Sequence, residues 1–382
     1  MVKGYKASNV GTIPEDWDCV CLLDKCQLLN GLTYTPNNVV ENGLLVLRAS
    51  NVQNSELFFD DNVYVDCEVD EEHLIHKNDI VICVRNGSKT LLGKCAISKY
   101  DYNATFGAFM AVLRGLDNTF IFQLFQRGNI QKDIIRKSEA TINQITNKDF
   151  KSLMIPYPPN FEERTLISNA FSDIDELIYS LEMLIKKKKA IRKGAIQELI
   201  TGKKRLQGFF SEFNRGTIGD VLRVMHGKSQ REVEDENGKY PILATGGQIG
   251  WADDFIYDKP SVLIGRKGTI DSPQFMDFPF WTIDTLFYTE FKDDNVARYF
   301  YYVFLLIDWK KYNEASGVPS LNAKTIEKIE IEYPKPAEQL AIAEFLEDLD
   351  IEIMQVEAKL NKYKNIKSGM MNELLTGKIR LV

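Results

Sequence analysis

The sequence predicts an α+β protein in which one plan, a globular piece followed by a long helix, is written twice. Three observations carry that prediction. The motif Glu198-Leu-Ile-Thr-Gly-Lys-Lys-Arg-Leu206 returns 175 residues later as Glu373-Leu-Leu-Thr-Gly-Lys-Ile-Arg-Leu381, and the same offset carries Glu163 onto Glu338, Asp175 onto Asp350 and Gly194 onto Gly369. Each motif is preceded by apolar residues spaced alternately four and three apart, a heptad seam. Ahead of each helix lie short β-branched and aromatic runs broken by Gly, Asn and Asp, the pattern of several strands.

Residues 1–158 make up the first globular piece, with strand-like runs and a helical stretch from Thr119 to Lys137. Pro156, Pro158 and Pro159 punctuate its end, because proline suits a helix start and not a helix interior. Residues 159–208 then form the first helical region, with Ile167, Phe171, Ile174, Ile178, Leu181 and Ile185 on one face. Lys188 takes the next seam position, Ile191, Ala195 and Leu199 continue one side, and Gly202 marks the end. Residues 209–335 are the second globular piece, helical from Asn295 to Trp309. Residues 336–382 repeat the helix, started by Pro334 and Pro336 and ended by Gly377. Their seam is Ile342, Leu346, Leu349, Ile353, Val356, Leu360 and Tyr363, continued by Ile366, Met370 and Leu374. Two seams in matched phase are most simply buried against each other as an intramolecular coiled coil. The pseudo-two-fold that relates two copies makes the pairing antiparallel.

A weaker likeness joins the globular pieces. Leu22, Asp24, Gly31 and Leu47 match Ile218, Asp220, Gly227 and Leu243 at an offset of 196. The run Ile80 to Gly87 resembles Val262 to Gly268, which sets Arg85 over Arg266 and Gly87 over Gly268. Ser138 to Asn143 takes the place of Glu314 to Pro319.

A formal charge of −7 over 382 residues argues against a protein that simply coats nucleic acid. Any such face is a local patch or is completed by a partner. Residues 161–208 are the basic region, with 10 Lys+Arg against 7 acids. The run Lys186 to Lys193 there reads either as a solvated helix face or as a contact for phosphate or a partner. The longest apolar patch, Tyr299 to Ile307, is too short to span a bilayer, and no signal-like start is present, so no membrane is expected and a cytoplasmic location is. Cys19, Cys21, Cys26, Cys67, Cys83 and Cys95 lack the spacing of a zinc site and read as reduced, packed thiols.

Catalytic motifs fail on inspection. Gly87-Ser-Lys-Thr-Leu-Leu-Gly93-Lys94-Cys95 has five residues between its glycines where a phosphate loop has four, and Cys95 stands where a magnesium-binding hydroxyl belongs. Pro156-Tyr-Pro-Pro159 lacks the leading Asn or Asp of an amino-methyltransferase. His73, His76 and His226 make no acid–base constellation. No metal site is expected. The chain reads as a binder rather than a catalyst, and a coiled-coil scaffold without DNA readout is the alternative.

Taken together, the helix boundary Pro-x-x-x-Glu-[Arg/Gln], the Asp in the following turns and the Glu-Leu-[Ile/Leu]-Thr-Gly-Lys end resemble the specificity subunits of type I restriction-modification systems. Gly11-Thr-Ile-Pro-Glu-Asp-Trp17 resembles the start of a target recognition domain in that family. The resemblance implies that each globular piece is a target recognition domain reading one half of a bipartite, asymmetric DNA sequence. It implies that the paired helices act as a ruler for the unread spacer and help to dock two methyltransferase subunits. It implies S-adenosylmethionine, ATP and magnesium on methyltransferase and restriction subunits, none on this chain, and a role in defence against foreign DNA.

The family pattern points to loops near two strand ends of each domain. These hold Arg48, Ser50 and Asn51, then Arg85, Asn86 and Lys89, in the first domain. In the second they hold Thr245, Gly246 and Gln248, then Arg266 and Lys267. Arg forks onto guanine and Asn or Gln pairs with adenine, whereas Lys89 and Lys267 suit phosphate. Equally open is a structural role in which Arg85 and Arg266 pair with carboxylates in both repeats.

Overall fold

The computed structural model describes residues 4–88, 91–127, 130, 133 and 144–381. The chain forms two compact units, Met1–Ser180 with Leu360–Val382, and Leu181–Lys359. Both boundaries fall inside the long helices, Phe161–Ile200 and Pro336–Glu373. Each unit therefore contains a stretch of both helices.

In the first unit a four-stranded sheet runs in the order Cys95–Ile97, Ile80–Cys83, Met110–Arg114, Gln27–Asn30. The strand Ile80–Cys83 is buried at every residue because both faces of the sheet are covered. Ile80 and Ile82 join a core with the helix Asn118–Gln126 and with Ile167, Phe171 and Ile174 of the first long helix. Val81 and Cys83 point the other way, onto Leu47, Ala104 and Phe106 of a second four-stranded sheet.

The second unit repeats the plan. Its four-stranded sheet orders Leu222–His226, Leu286–Phe291, Ser261–Gly265, Gln274–Met276, beside a three-stranded sheet of Gly247–Ala252, Tyr240–Ala244 and Trp281–Thr282. Val262 and Ile264 share a core with Tyr299, Phe300 and Tyr302 of the helix Ala297–Leu306 and with Ile342 and Leu346. Leu263 packs oppositely, with Leu243, Phe280 and Leu286.

The 196-residue offset is visible in backbone bonds. Leu22 N–H donates to Leu153 O and Ile218 N–H to Ile329 O, both at 2.9 Å. Gly107 N–H donates to Leu47 O and Ile283 N–H to Leu243 O, at 3.0 and 3.1 Å. Gly31 and Gly227 are glycine for one reason: a Cβ on either would overlap backbone carbonyl atoms, of Gly107 in one repeat and Ile283 in the other.

The register near Arg85 differs from the sequence expectation by one residue. Val84 and Arg85 N–H both donate to Phe109 O, while Arg266 and Lys267 N–H both donate to Thr285 O. Ile145 N–H meets Val84 O as Leu321 N–H meets Arg266 O. Arg85 is therefore equivalent to Lys267, and Arg266 to Val84. In sequence alone the paired glycines Gly87 and Gly268 favour the other alignment. The helix Asn118–Gln126 starts within a residue of its expected place, and only Arg127, Ile130 and Asp133 of the remainder to Lys137 are described. Ser138 to Asn143 lie outside the described residues, as does Lys89. Asn295 to Trp309 holds the helix Ala297–Leu306.

The seam residues behave as a buried stripe. Ile167, Phe171, Ile174, Leu181, Ile185, Ile342, Leu346 and Ile353 are buried, and Ile178, Leu349, Val356 and Leu360 are half-buried. Ile191 and Ile366, expected to continue it, are exposed. The helix phase gives the seam instead to the next residues, Arg192 and Lys367, which are half-buried. Gly202 and Gly377 close the helices in the left-handed region, at φ +69° and +70°. No described helix is long and apolar enough to cross a membrane.

Candidate functional site

Two kinds of site emerge, loops at strand ends and a set of ion pairs that hold the helices. In the second unit Arg205 closes on Glu338 with Nε 2.6 Å from Oε1. Arg192 pairs with Asp350, Lys188 with Glu352 at 2.6 Å and Lys189 with Glu357 at 2.7 Å. Partners late in one helix meet partners early in the other, so the helices run antiparallel. In the first unit Arg380 closes on Glu163, Nη2 to Oε2 at 2.8 Å, and Lys367 pairs with Asp175 at 2.5 Å.

The Arg205–Glu338 and Arg192–Asp350 pairs obey the 175-residue repeat. Glu163 is the counterpart of Glu338, and Arg380 of Arg205. Asp175 is the counterpart of Asp350, and Lys367 of Arg192. Each signature glutamate is thus held by the arginine of the other copy. Glu163 also accepts from the Trp17 indole at 3.3 Å, and Arg380 reaches Asp16 at 2.8 Å. Hydrogen bonding to Arg380 holds the Asp16 carboxyl below the ordinary range, and bonding to Glu163 raises the Arg380 guanidinium. In the other repeat Phe213 takes the place of Trp17 and lies 4.8 Å from the Arg205 guanidinium. Tyr302 donates to Asp350 at 2.8 Å; burial first, then this bond, raises its phenol.

Residues after the signature glutamates fasten each long helix to the segment before it and to the start of the short helix of its domain. Arg164 bonds Asp117 at 3.0 Å and Pro158 O at 2.7 Å, and stacks on Tyr157. Its counterpart Gln339 donates to Pro334 O and Asn295, and accepts from the Val296 N–H. The basic run Lys186 to Lys193 is thus partly a helix-pairing face. Sequence reasoning missed the roles of Arg192, Arg205 and Arg380; the available signal was a charged residue in seam phase, or three residues after each closing glycine, in both copies.

In the first loop of the first unit Asn51 is fully buried. Its Oδ1 accepts the Arg48 N–H at 2.9 Å and its Nδ2 donates to Phe58 O at 2.9 Å, so both ends of the amide hold the turn. Arg48 is paired with Asp61 at 2.9 Å, and Ser50 is exposed. In the second loop Arg85 is exposed with its guanidinium 5.3 Å over the Phe109 ring. Asn86 Oδ1 accepts the Ser88 N–H at 2.9 Å, an Asx turn. Leu47 and Cys83, which lead into the two loops, share one buried cluster.

The second unit brings its two loops together: Thr245 Oγ1 lies 3.6 Å from where a Cβ on Gly268 would stand. Gly246 is exposed, and exposed Gln248 donates to Gly250 O at 3.1 Å. Arg266 donates to the Asp284 backbone carbonyl at 3.0 Å, while Lys267 is exposed. Among the described residues neither Arg85, Arg266 nor Lys267 pairs with a carboxylate, so the structural role weighed from sequence lacks its partner.

Burial pushes the Cys26 thiol up to about 12, and its Sγ donates to Leu22 O. A protonated, buried thiol is a poor zinc ligand. Asp70, Glu72 and His73 bring possible ligand atoms within 4.8 Å of one another, on an exposed turn.

The sequence matches the family model described as type I restriction modification DNA specificity domain twice, over residues 14–191 and 211–363. It is 26% identical over 428 aligned positions to the type I restriction enzyme MjaX specificity subunit assigned in Methanocaldococcus jannaschii, covering 99% of this chain and 97% of that one. It is 27% identical over 252 positions to the EcoKI specificity subunit of Escherichia coli, covering 62% of this chain and 54% of that one. Among solved structures, the type I restriction-modification S subunit from M. genitalium superposes with a TM-score of 0.65 at 20% identity, covering 98% of this chain and 99% of that one.

Proposed function

Because the chain belongs to the family of type I restriction-modification DNA specificity proteins, whose model covers both repeats, we propose that it reads a DNA target in two halves and docks two methyltransferase subunits. Recognition of DNA sequence goes with the family. The finer reading rests on one observation: the fastening of the long helix beside the signature glutamate, the glutamate–arginine pair and the aspartate–cation pair recur in both repeats, while the loops they carry differ. Arg48, Ser50 and Asn51 stand where the second repeat has Ala244, Gly246 and Gly247, and Asn86 stands where it has Gly268. A shared frame with unlike loops suits two different half-sites.

In this reading the loops hold the contacts, with exposed Ser50, Arg85, Gly246, Gln248 and Lys267 facing DNA, and Arg48 and Asn51 shaping the first loop. The helices serve as the spacer element. A helix of 40 residues is roughly 60 Å long at about 1.5 Å per residue. Methylation chemistry and its S-adenosylmethionine belong to the docked subunits, and ATP and magnesium to restriction subunits.

Mapping methylated sites in the host genome with and without this chain tests the proposal. An asymmetric two-part motif that disappears with the chain supports it; an unchanged methylation map refutes it.

A further inference from the structure

The structural register separates what the two repeats share from what they do not. Arg85 and Lys267 occupy one place in the fold. Each follows the central strand by two residues, donates its N–H to the carbonyl that also takes its neighbour's N–H, and bridges the returning segment at Gln144 or Ser320. Both side chains are exposed, and among the described residues neither has a carboxylate partner. The one charge contact within the fold among the described residues is the Phe109 ring 5.3 Å under the Arg85 guanidinium, which leaves its hydrogen-bonding edge free of a carboxylate. Positions around them have diverged: Val84 faces Arg266 in the repeat, and Asn86 faces Gly268.

A cation kept at one place in two domains that read different half-sites contacts what both half-sites have in common. Bases differ between half-sites; the phosphate backbone does not. Arg forks onto guanine whereas Lys meets it only as a point charge, so a position that takes either cation suits phosphate, which both hold. Resting on the DNA-recognition reading above, we propose that Arg85 and Lys267 are the equivalent phosphate-holding residues of the two domains and carry no sequence information. Arg85 is thereby moved from base reader to backbone clamp, with the Phe109 ring supporting its guanidinium from one side.

The test uses the full chain in complex with its methyltransferase partners. Binding is measured by fluorescence anisotropy from about 50 to about 200 mM salt, on a mixed-sequence duplex and on a duplex carrying the mapped methylation site. Arg85→Ala and Lys267→Ala should each flatten the slope of log K against log salt by about 0.9, and together by about 1.8. The loss should be equal on both duplexes, and Arg85→Lys should keep the wild-type slope. Matched melting curves exclude misfolding as the cause. A slope unchanged in the alanine variants overturns the inference, as does a loss confined to the specific duplex, which marks a base contact. If the wild-type complex binds neither duplex, the DNA-recognition reading itself falls and takes this inference with it.

Discussion

Arg380, near the end of the second long helix's repeat motif, closes on Glu163 in the first turn of the other long helix, and 175 residues away Arg205 closes on Glu338 in the same manner. The glutamates are 0% and 2% exposed, whereas the arginines keep about a quarter of their surface. A carboxylate so deeply placed has no water to fall back on. The arginine is what makes its burial tolerable.

Removing the cation should therefore cost more than removing a surface charge. Arg380→Ala or Arg205→Ala strands a buried carboxylate and should destabilise by about 3–5 kcal/mol in denaturant melts. Adding Glu163→Gln to Arg380→Ala should recover part of that loss. By contrast Lys189→Ala, whose partner Glu357 is also substantially exposed, should stay within about 0.5 kcal/mol of wild type.

The Asp16 arm of the clasp gives a pH signature. Its carboxyl is held below its ordinary value by Arg380, so its contribution is complete above the unfolded value of about 3.9 and is lost as pH falls through the lower folded value. Asp16→Asn should be less stable than wild type at pH 6. The gap in melting temperature should shrink as the pH drops below about 3.9.

Gly31 and Gly227 are required by close backbone approach. Gly31→Ala and Gly227→Ala should each cost at least about 1–3 kcal/mol, because the obstacle is main chain and not a movable side chain. Gly246→Ala meets nothing within 4 Å and should leave stability within about 0.5 kcal/mol.

Thiol chemistry follows burial. Cys26 and Cys95 are pushed up to about 12 by desolvation, and Cys83 is raised by the same cause. At pH 8 a thiol-reactive disulfide should modify no more than Cys19, Cys21 and Cys67 in the native chain, and all six cysteines after unfolding. Rapid labelling of Cys95 in the native protein would contradict this packing.

Much of the architecture was legible because it is written periodically. The heptad phase placed Ile167, Phe171, Ile342 and Leu346 in the seam, and the offset of 196 aligned Leu22 and Leu47 with partners that make the same backbone bonds and Gly31 with a glycine under the same close backbone approach. What escaped depends on three-dimensional neighbours. Glu163 and Arg380 stand out as repeated residues, yet nothing in a single copy says that each serves the other copy. Apolar character drew Ile191 and Ile366 into the stripe, although helix phase gives that position to Arg192 and Lys367. Near the loops a one-residue slip between Arg85 and Arg266 was invisible without the carbonyls of Phe109 and Thr285, which set the register. Asn51 had the chemistry to pair with adenine, but its amide is spent on the turn that carries it.

In the proposed function two unlike loop sets, held by one repeated frame, each read their own part of a DNA target. Exchanging residues 209–335 for the corresponding domain of a relative, followed by genome-wide mapping of methylated sites, tests it most directly. One half of the methylated motif should change while the other half is kept. A motif left wholly unchanged, or replaced in both halves at once, would contradict it.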